Sequence, residues 1–245
     1  MIQVNLVNYT PNPELTIAAA ARSCVRNLDY ELVCAELGHE DVQRILRSII
    51  ERNHHSPLEH ATFTFAISGV SRVLTHQLVR HRIASHSQLS QQRTESSRLQ
   101  FTTPLEIQQH PELAVEYQDM MKQCQELYRR FVRCGISKGS ARYVLPSAFN
   151  TRVVTTMNAR SLLNLLAQRE CEVEEWEFRQ VALLMHDELM KVAPNIFKFA
   201  GAPCKTQGHC PEGEKGSKCS HYVQVATCSG VYREEGSPQL VGGQL

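Results

Sequence analysis

The densest group of polar side chains in the sequence is the run Arg80-His81-Arg82. Gln77 lies three residues before Arg80, so a helix would place both side chains on one face. Guanidinium groups form paired hydrogen bonds with phosphate, and amide groups bond the edges of heterocyclic rings. The run therefore predicts a site for a phosphorylated ligand with a heterocycle, the alternative being the solvated basic end of a helix. Further neutral donors follow at Ser85, Ser87, Gln88 and Ser90.

A second polar cluster begins at Asn158, which is placed to cap the helix that follows. Arg160 and Asn164 are four residues apart and share a helical face, whereas the neighbouring leucines face the core. Arg169 lies about 140° farther round a straight helix than Asn164, so we expect it to serve a different site or to lie beyond the helix end. The alternative is that both arginines form salt bridges at the surface.

A third polar group is the segment His54-His55-Ser56-Pro57-Leu58-Glu59-His60. Histidines and a glutamate this close together could indicate a metal site. However, Pro57 interrupts the segment, and no two of its histidines stand four residues apart as they do on the helix of a zinc protease. We therefore predict no metal there and expect a loop that positions polar groups before a strand.

The hydrophobic pattern around these clusters predicts both helices and strands. The apolar residues between 42 and 49 repeat with helical spacing, and Asp41 is placed as the cap. Pro111 and Gly135 suit the first turn and the position just past the end of one long helix. Because helices and strands do not alternate regularly, we predict an α+β fold, a single compact domain of mixed helices and antiparallel strands. The remaining predicted elements are strands over 2–7, 62–67 and 152–156, helices over 16–25 and 73–82, and two helices between 158 and 194.

Composition and charge exclude several classes of protein. The chain has 245 residues and a net charge of +1, which argues against general binding to nucleic acid or to an anionic membrane. No apolar run approaches the 18 to 20 or so residues that a membrane span needs, and the first residues lack the layout of a secretory signal. Neither a G-x-G-x-x-G motif nor a P-loop is present. We expect a cytoplasmic protein that binds neither nucleic acid nor a membrane.

The last four of the nine cysteines lie close together near the C-terminus. We assign residues 1–203 to one domain, 204–235 to a Cys-rich extension and 236–245 to a flexible tail. One alternative function is therefore a metal-stabilised module that binds a nucleotide or nucleic acid without catalysis. The groups available to one zinc ion would be Cys204, His209, Cys210, Cys219, His221 and Cys228, although their spacing lacks the C-x2-C pattern.

Arg80-His81-Arg82, seven further residues and then Ser90 spell R-H-R-x7-S. The stretch RHRIASHSQLSQ resembles the flavin-dependent thymidylate synthases over its whole length. The segments HHSPLEHATFTF, SARYVLP and TMNARSLLNLLAQR are similar to other segments of that family and occur in the family's order. The resemblance covers roughly residues 10–203.

The resemblance implies an enzyme that makes dTMP from dUMP, with 5,10-methylenetetrahydrofolate as carbon donor, NADPH as reductant and FAD as the hydride relay. It also implies a homotetramer in which FAD and dUMP lie between subunits. Matched position by position, the residues for dUMP are Gln77, Arg80, Gln88, Ser90, Gln92, Arg93, Arg142 and Arg169. Those for FAD are His54, Ser56, Arg80, His81, Arg82, Gln88, Asn158, Arg160 and Asn164, with Glu59 at a loop position near the flavin.

Arg169 is the residue for which the resemblance implies a catalytic role. A cation near the N3/C4 edge of the uracil ring would favour the ionised ring and so make C5 nucleophilic. Ser90 could be mistaken for a nucleophile, but the sequence around it shows no recognisable histidine with an acid behind it to activate the hydroxyl. We interpret Ser90 as a ligand of the nucleotide.

The sequence departs from the family pattern just after the motif serine. The family usually has serine, one residue and then arginine, whereas here Gln91 and Gln92 separate Ser90 from Arg93. A one-residue bulge, which shifts the chain by no more than about 3.5 Å, would let Arg93 reach the dUMP phosphate. We favour this bulge, because otherwise the neutral Gln92 would face a phosphate dianion. Gln88 also stands where the family often has glutamate. The displaced arginine leaves a second alternative, a flavoprotein of this fold with lost or altered activity.

Overall fold

The computed structural model describes residues 1–93, 100–212 and 219–220. The chain divides into two units, Met1–Ala202 and Pro203–Leu245. The first unit contains the sheet and ten α-helices among the described residues, and the described part of the second contains the short helix Pro203–Thr206. In the described part of the chain, no helix is both long and apolar enough to cross a membrane.

The strands of the first unit are β1 (Gln3–Tyr9), β2 (Thr62–Ser71), β3 (Ala84–Gln88) and β4 (Asn150–Asn158). They form an antiparallel sheet in the order β1-β2-β4-β3. The central pair runs from Thr62 opposite Asn158 to Ser71 opposite Asn150. The edge strand β3 leads directly from the Arg80-His81-Arg82 run to Ser90, so the sheet determines where the motif begins and ends.

Helices precede, separate and follow the strands along the chain. The longest, Pro111–Arg133, ends as predicted before Gly135, whose φ of 86° lies in the left-handed region that favours glycine. Two 3-10 helices cover Ser56–His60 and Arg142–Val144. The α-helices are α1 (Pro13–Ser23), α2 (Tyr30–Glu36), α3 (His39–Glu51), α4 (Arg72–Leu78), α5 (Leu105–Gln108), α6 (Pro111–Arg133), α7 (Lys138–Ala141), α8 (Ala159–Arg169), α9 (Trp176–Val192), α10 (Pro194–Phe197) and α11 (Pro203–Thr206).

One face of the sheet is buried beneath helices. Phe63, Phe65 and Ile67 on β2 are buried, whereas the residues between them are partly exposed, as the period of two requires. Removing this apolar surface from water is the main stabilising contribution, at about 25 cal/mol per Å². The end of α8 and the start of α9 carry the polar residues of the site described below. Their buried apolar residues include Leu162, Leu165, Leu166, Phe178, Val181 and Met185.

The α+β class and the antiparallel strands are confirmed, but some local predictions are wrong. Asp41 is not the cap of α3, which begins at His39 after Gly38; the carboxylate lies in the first turn, where it still favours the helix dipole. The helix predicted to reach Arg82 ends at Leu78, because the next residues form a turn. Strand β3 was not predicted, since its sequence ASHSQ lacks an apolar alternation.

Candidate active site

The short helix α4 carries the first polar cluster at its C-terminal end. The side chain of Ser71 caps the start of the helix. At the other end, the backbone N–H of His81 donates to the carbonyl oxygen of Leu78 at 3.1 Å. This turn separates the motif side chains, because Arg80 and Arg82 are exposed whereas His81 is only 6% exposed.

Arg169 is the last residue of α8, and its guanidinium lies against this cluster. Its Nε donates to Nε2 of His81 at 2.9 Å, and its Nη1 donates to Oε1 of Gln77 at 3.4 Å. Nη1 also bonds the carboxylate of Glu174. The guanidinium carbon lies 4.7 Å from the centre of the Phe178 ring, a typical cation–π arrangement. Four side chains thus hold the guanidinium in one place.

Burial lowers the pKa of His81 to about 4, and the charges of Arg169 and His86 act in the same direction. The imidazole is therefore neutral at neutral pH. Because its Nε2 accepts the hydrogen bond from Arg169, its own proton is on Nδ1. The ring also meets Phe178 edge to face, with 5.5 Å between ring centroids. The motif histidine is thus a fixed acceptor for Arg169.

The second cluster is organised by the start of α8. The capping prediction for Asn158 is confirmed, since its Oδ1 accepts from the backbone N–H of Ser161 at 2.8 Å. Arg160 and Asn164 are both exposed on the helix, as their spacing predicts. Arg160 also forms an ion pair of 2.5 Å with Glu59 in the 3-10 helix Ser56–His60. Both partners are substantially exposed, so the pair orients the two elements more than it stabilises them.

His54 and Ser56 lie just before and at the start of that 3-10 helix. The backbone N–H of His54 donates to the carbonyl oxygen of Ile49 at 2.8 Å, which ties the segment to the end of α3. Together with the ion pair between Arg160 and Glu59, this places the predicted FAD residues of the loop and of α8 on adjoining elements.

Gln88 ends β3, and its side-chain amide is already engaged by the protein. Its Nε2 donates to Oγ1 of Thr75 at 2.9 Å and lies 3.4 Å from Oγ1 of Thr151. A ligand contact by Gln88 would therefore use the side-chain oxygen. The contact with Thr75 suits a glutamine, because the Thr75 hydroxyl already donates to the carbonyl oxygen of Arg72 at 3.2 Å and so accepts from residue 88.

The residues after Gln88 turn toward the segment that carries Arg142. The backbone N–H of Arg93 donates to the carbonyl oxygen of Ser90 at 3.3 Å. The side chain of Gln92 lies beside Gly139 in α7, where a methyl group would be 3.5 Å from Cγ of Gln92. Which of Gln92 and Arg93 meets the phosphate remains a prediction.

Arg142 and Arg72 form a further cationic group. Burial lowers the pKa of Arg72, and the charge of Arg142 adds to this effect. Nε of Arg72 is buried with no hydrogen-bond partner in the described part of the chain. Within the described residues no carboxylate pairs with either guanidinium, and two such neighbouring cations would attract an anion such as phosphate.

The predicted dUMP residues therefore fall into two groups. Gln77 and Arg169 are bonded to each other, whereas within the described residues no hydrogen bond or ion pair joins the side chain of Gln92, Arg93 or Arg142 to Arg169.

The donors present fit FAD. Arg80 and Arg82 are exposed, and in the described residues no carboxylate pairs with either guanidinium. A diphosphate needs such free cations, and a flavin ring needs neutral donors and acceptors of the kind that Asn158, Asn164 and Ser56 supply. The individual FAD contacts remain predictions.

Glu174 and Phe178 were missed by sequence reasoning, although both contact Arg169. Glu174 lies in the connection between α8 and α9, where no helical spacing relates it to Arg169. Phe178 has the pattern of a core residue on α9. The one indication in the sequence was the position of Arg169 at the end of a helix. A side chain there lies close to the residues that follow the helix, and Glu174 is one of them.

A separate cavity of about 930 Å³ contains none of the predicted site residues. It lies between the end of β1, the starts of α1 and α3 and the end of α9, and its walls include Tyr9, Glu14, His39 and Lys191. Its lining contains no arginine, so the guanidinium groups assigned to phosphate lie outside it.

The Cys-rich segment gives no metal site among the described residues. Among the described residues, Cys204, Cys210 and Cys219 form no disulfide bond, and no group of three or more possible ligands is arranged to hold a metal ion. Burial raises the pKa of the Cys204 thiol, and Cys210 and Cys219 add to this effect. His221 and Cys228 lie outside the described residues, so the predicted zinc set is not tested as a whole.

The fold and the site define an α+β protein in which exposed arginines stand beside a partly buried, histidine-bound arginine, and such donors suit a phosphorylated heterocyclic ligand. The chain belongs to the thymidylate synthase complementing protein family, whose family model matches residues 5–195.

Curated relatives agree with this assignment. The chain is 40% identical over 228 residues to the flavin-dependent thymidylate synthase of Clostridium tetani, a match that covers 86% of this chain and 91% of that protein. It is 39% identical over 226 residues to that of Geobacter sulfurreducens, covering 91% and 96%. It is 41% identical over 222 residues to that of Thermococcus kodakarensis, covering 87% and 90%.

Proposed function

We propose that the chain is a flavin-dependent thymidylate synthase, which makes dTMP from dUMP with 5,10-methylenetetrahydrofolate as carbon donor and NADPH as reductant. The observation that carries the proposal is the bond between Arg169 and His81, which joins the two polar clusters of the family pattern. The relatives support this function and give no support to a metal-stabilised binding module without catalysis.

Arg169 is the proposed catalytic residue. The C5 atom of uracil is a weak nucleophile that becomes stronger when the ring carries negative charge. A fixed guanidinium at the N3/C4 edge stabilises that charge, and Gln77 offers an amide to the same edge. When bound, FAD supplies the hydride that completes the methyl group, and the protein supplies position and electrostatics.

The phosphate of dUMP is proposed to meet Ser90, Arg142 and either Gln92 or Arg93. The family resemblance implies sites shared between subunits, and we propose such a shared site here. In a homotetramer with sites between subunits, the phosphate-binding residues of one chain would lie beside Arg169 of another.

FAD is proposed to contact the residues at the starts of α8 and of the 3-10 helix together with the motif arginines. His81 keeps its Nδ1–H for such a contact, because Nε2 is bonded to Arg169. The cytoplasmic location and the absence of a nucleic-acid partner are part of this proposal. The proposed FAD set is His54, Ser56, Arg80, His81, Arg82, Gln88, Asn158, Arg160 and Asn164.

An absorbance spectrum of the purified protein, before and after addition of FAD, tests the flavin requirement. The reduced, FAD-loaded protein is then mixed with dUMP and methylenetetrahydrofolate, and the return of the oxidised flavin spectrum is followed. We expect oxidation that depends on both compounds and yields dTMP. A protein that binds no FAD, or whose flavin oxidation is independent of dUMP, would contradict the proposal.

A further inference from the structure

His186 on α9 forms a buried connection that the family pattern did not point to. Its Nδ1 lies 2.6 Å from Oε1 of Glu170, and its Nε2 lies 2.9 Å from the carbonyl oxygen of Phe197. Glu170 is the first residue after α8 and is only 5% exposed. One imidazole thus joins the end of α8 to α9 and to α10.

The two contacts together indicate the protonation state of the His186 ring. A carboxylate and a backbone carbonyl both accept hydrogen bonds, and a neutral imidazole carries only one N–H. Donation to a Glu170 carboxylate and to the carbonyl oxygen together gives the imidazolium form. The hydrogen bond to Glu170 raises the pKa of His186 against the opposing effect of burial, and the charge of Glu170 adds to the increase.

Other groups around His186 act in the same direction. From α8 it faces Glu170, from α10 the carbonyl oxygen of Phe197, and from its own helix the neighbouring Asp187. All three raise its pKa. The groups that face the ring are a carboxylate, a carbonyl oxygen and a second acidic side chain, so an imidazolium fits these surroundings.

The position of this ion pair connects it to the site, because Glu170 directly follows Arg169. Nε of Arg179 also donates to the backbone carbonyl oxygen of Glu170 at 3.3 Å. Arg179 and His186 lie two helical turns apart on α9 and hold Glu170 at two points. Phe178, whose ring meets the Arg169 guanidinium, belongs to the same helix.

We propose that protonated His186 is a positioning residue, which holds the end of α8 on α9 and so keeps the Arg169 guanidinium at the nucleotide. The proposal deepens the proposed function and rests on the role given there to Arg169. Loss of the proton leaves Glu170 or the Phe197 carbonyl facing a lone pair. The end of α8 is then held less firmly, and dUMP binds less tightly.

The test uses the FAD-loaded protein and the variants His186→Gln, Glu170→Gln and the double variant. Glutamine is neutral and cannot present donors at both ring positions. His110→Gln is the matched control, since His110 is an exposed histidine before α6. For each protein, calorimetry gives the dUMP dissociation constant between pH 6 and 8.5 or so, and chemical unfolding gives stability over the same range.

We expect dUMP affinity and stability of the wild type to fall together as pH rises through the pKa of His186. Each single variant should bind dUMP about tenfold more weakly at the acidic end, without that pH dependence. The double variant should be no worse than the single ones, because both lose the same pair. His110→Gln should behave like the wild type.

Three outcomes would overturn the proposal. One is dUMP affinity in His186→Gln equal to that of the wild type at every pH. Another is a pH-dependent stability without any change in dUMP affinity, which would show a purely structural pair. The third, should His186→Gln not fold, is wild-type dUMP affinity that stays constant through the range. Because binding is measured apart from turnover, a protein that binds dUMP in this way but makes no dTMP would contradict the proposed function alone.

Discussion

Arg169 and His81 are 88 residues apart in the chain, and a hydrogen bond of 2.9 Å from Nε of Arg169 to Nε2 of His81 joins them. Through this bond His81, the middle residue of the R-H-R run, holds the Arg169 guanidinium in addition to its proposed contact with FAD. It also makes the neutral form of His81 a requirement, since an imidazolium could not accept from a guanidinium. The two clusters found separately in the sequence are therefore one site.

Replacing Arg169 by alanine should reduce turnover about 100- to 1,000-fold, because a positioned charge that stabilises a transition state is worth several kcal/mol. The fold should be affected far less, since the residue lies at a helix end. We expect near-normal FAD content and far-UV circular dichroism. Arg44→Ala, which removes an exposed ion pair on α3, is the control and should retain activity. Near-normal turnover in folded, FAD-loaded Arg169→Ala would remove this residue from the mechanism.

Stability should fall as the pH is lowered from about 6.5 toward about 4, and His81 should account for part of the decrease. Its folded pKa is about 4, below the ordinary value of 6.5, so in this range the unfolded chain takes up a proton that the folded chain resists. Urea unfolding of wild type and His81→Gln across this range measures the effect. The variant should show a shallower decrease, and parallel curves would mean that His81 does not titrate in this way.

Ser90→Ala should weaken dUMP binding and still turn over. A hydroxyl that only donates or accepts one hydrogen bond is worth about 0.5 to 1.5 kcal/mol, whereas loss of a nucleophile would abolish the reaction. Steady-state kinetics should therefore show a raised KM for dUMP with a measurable kcat. Complete loss of turnover with intact dUMP binding would restore the nucleophile hypothesis.

Arg93→Ala should weaken dUMP binding more than Gln92→Ala does. A charge-assisted bond to phosphate is roughly twice as strong as a neutral one, and the bulge would deliver the arginine. Comparison of dUMP with deoxyuridine, which lacks the phosphate, isolates the effect: Arg93→Ala should reduce the difference between the two ligands. A larger loss in Gln92→Ala would show instead that glutamine holds the phosphate.

Local sequence patterns predicted the elements whose ends are set by neighbouring residues. Pro111 and Gly135 bounded α6, and Asn158 capped α8, because capping and backbone preference act within a turn. The prediction of Asp41 as the cap was wrong because several nearby residues could begin α3. Strand β3 was not predicted because pairing with β4, and not an apolar pattern of its own, makes it a strand.

The contacts that hold Arg169 could not be predicted from the sequence. The burial of His81, the ion pair with Glu174 and the ring of Phe178 all depend on how α8, α9 and the end of α4 pack together. Spacing along one helix showed only that Arg169 points away from Asn164. The family resemblance supplied its expected role, and the tertiary structure supplies the partners that fix it.

The most direct test of the account is a single turnover of the reduced, FAD-loaded protein with dUMP and methylenetetrahydrofolate labelled in the transferred carbon. Chromatography of the products measures the label in dTMP. The account predicts up to one labelled dTMP per active site in the wild type, and at least about 100-fold slower formation in Arg169→Ala. Reduced protein that binds both substrates yet transfers no label to dUMP would contradict it.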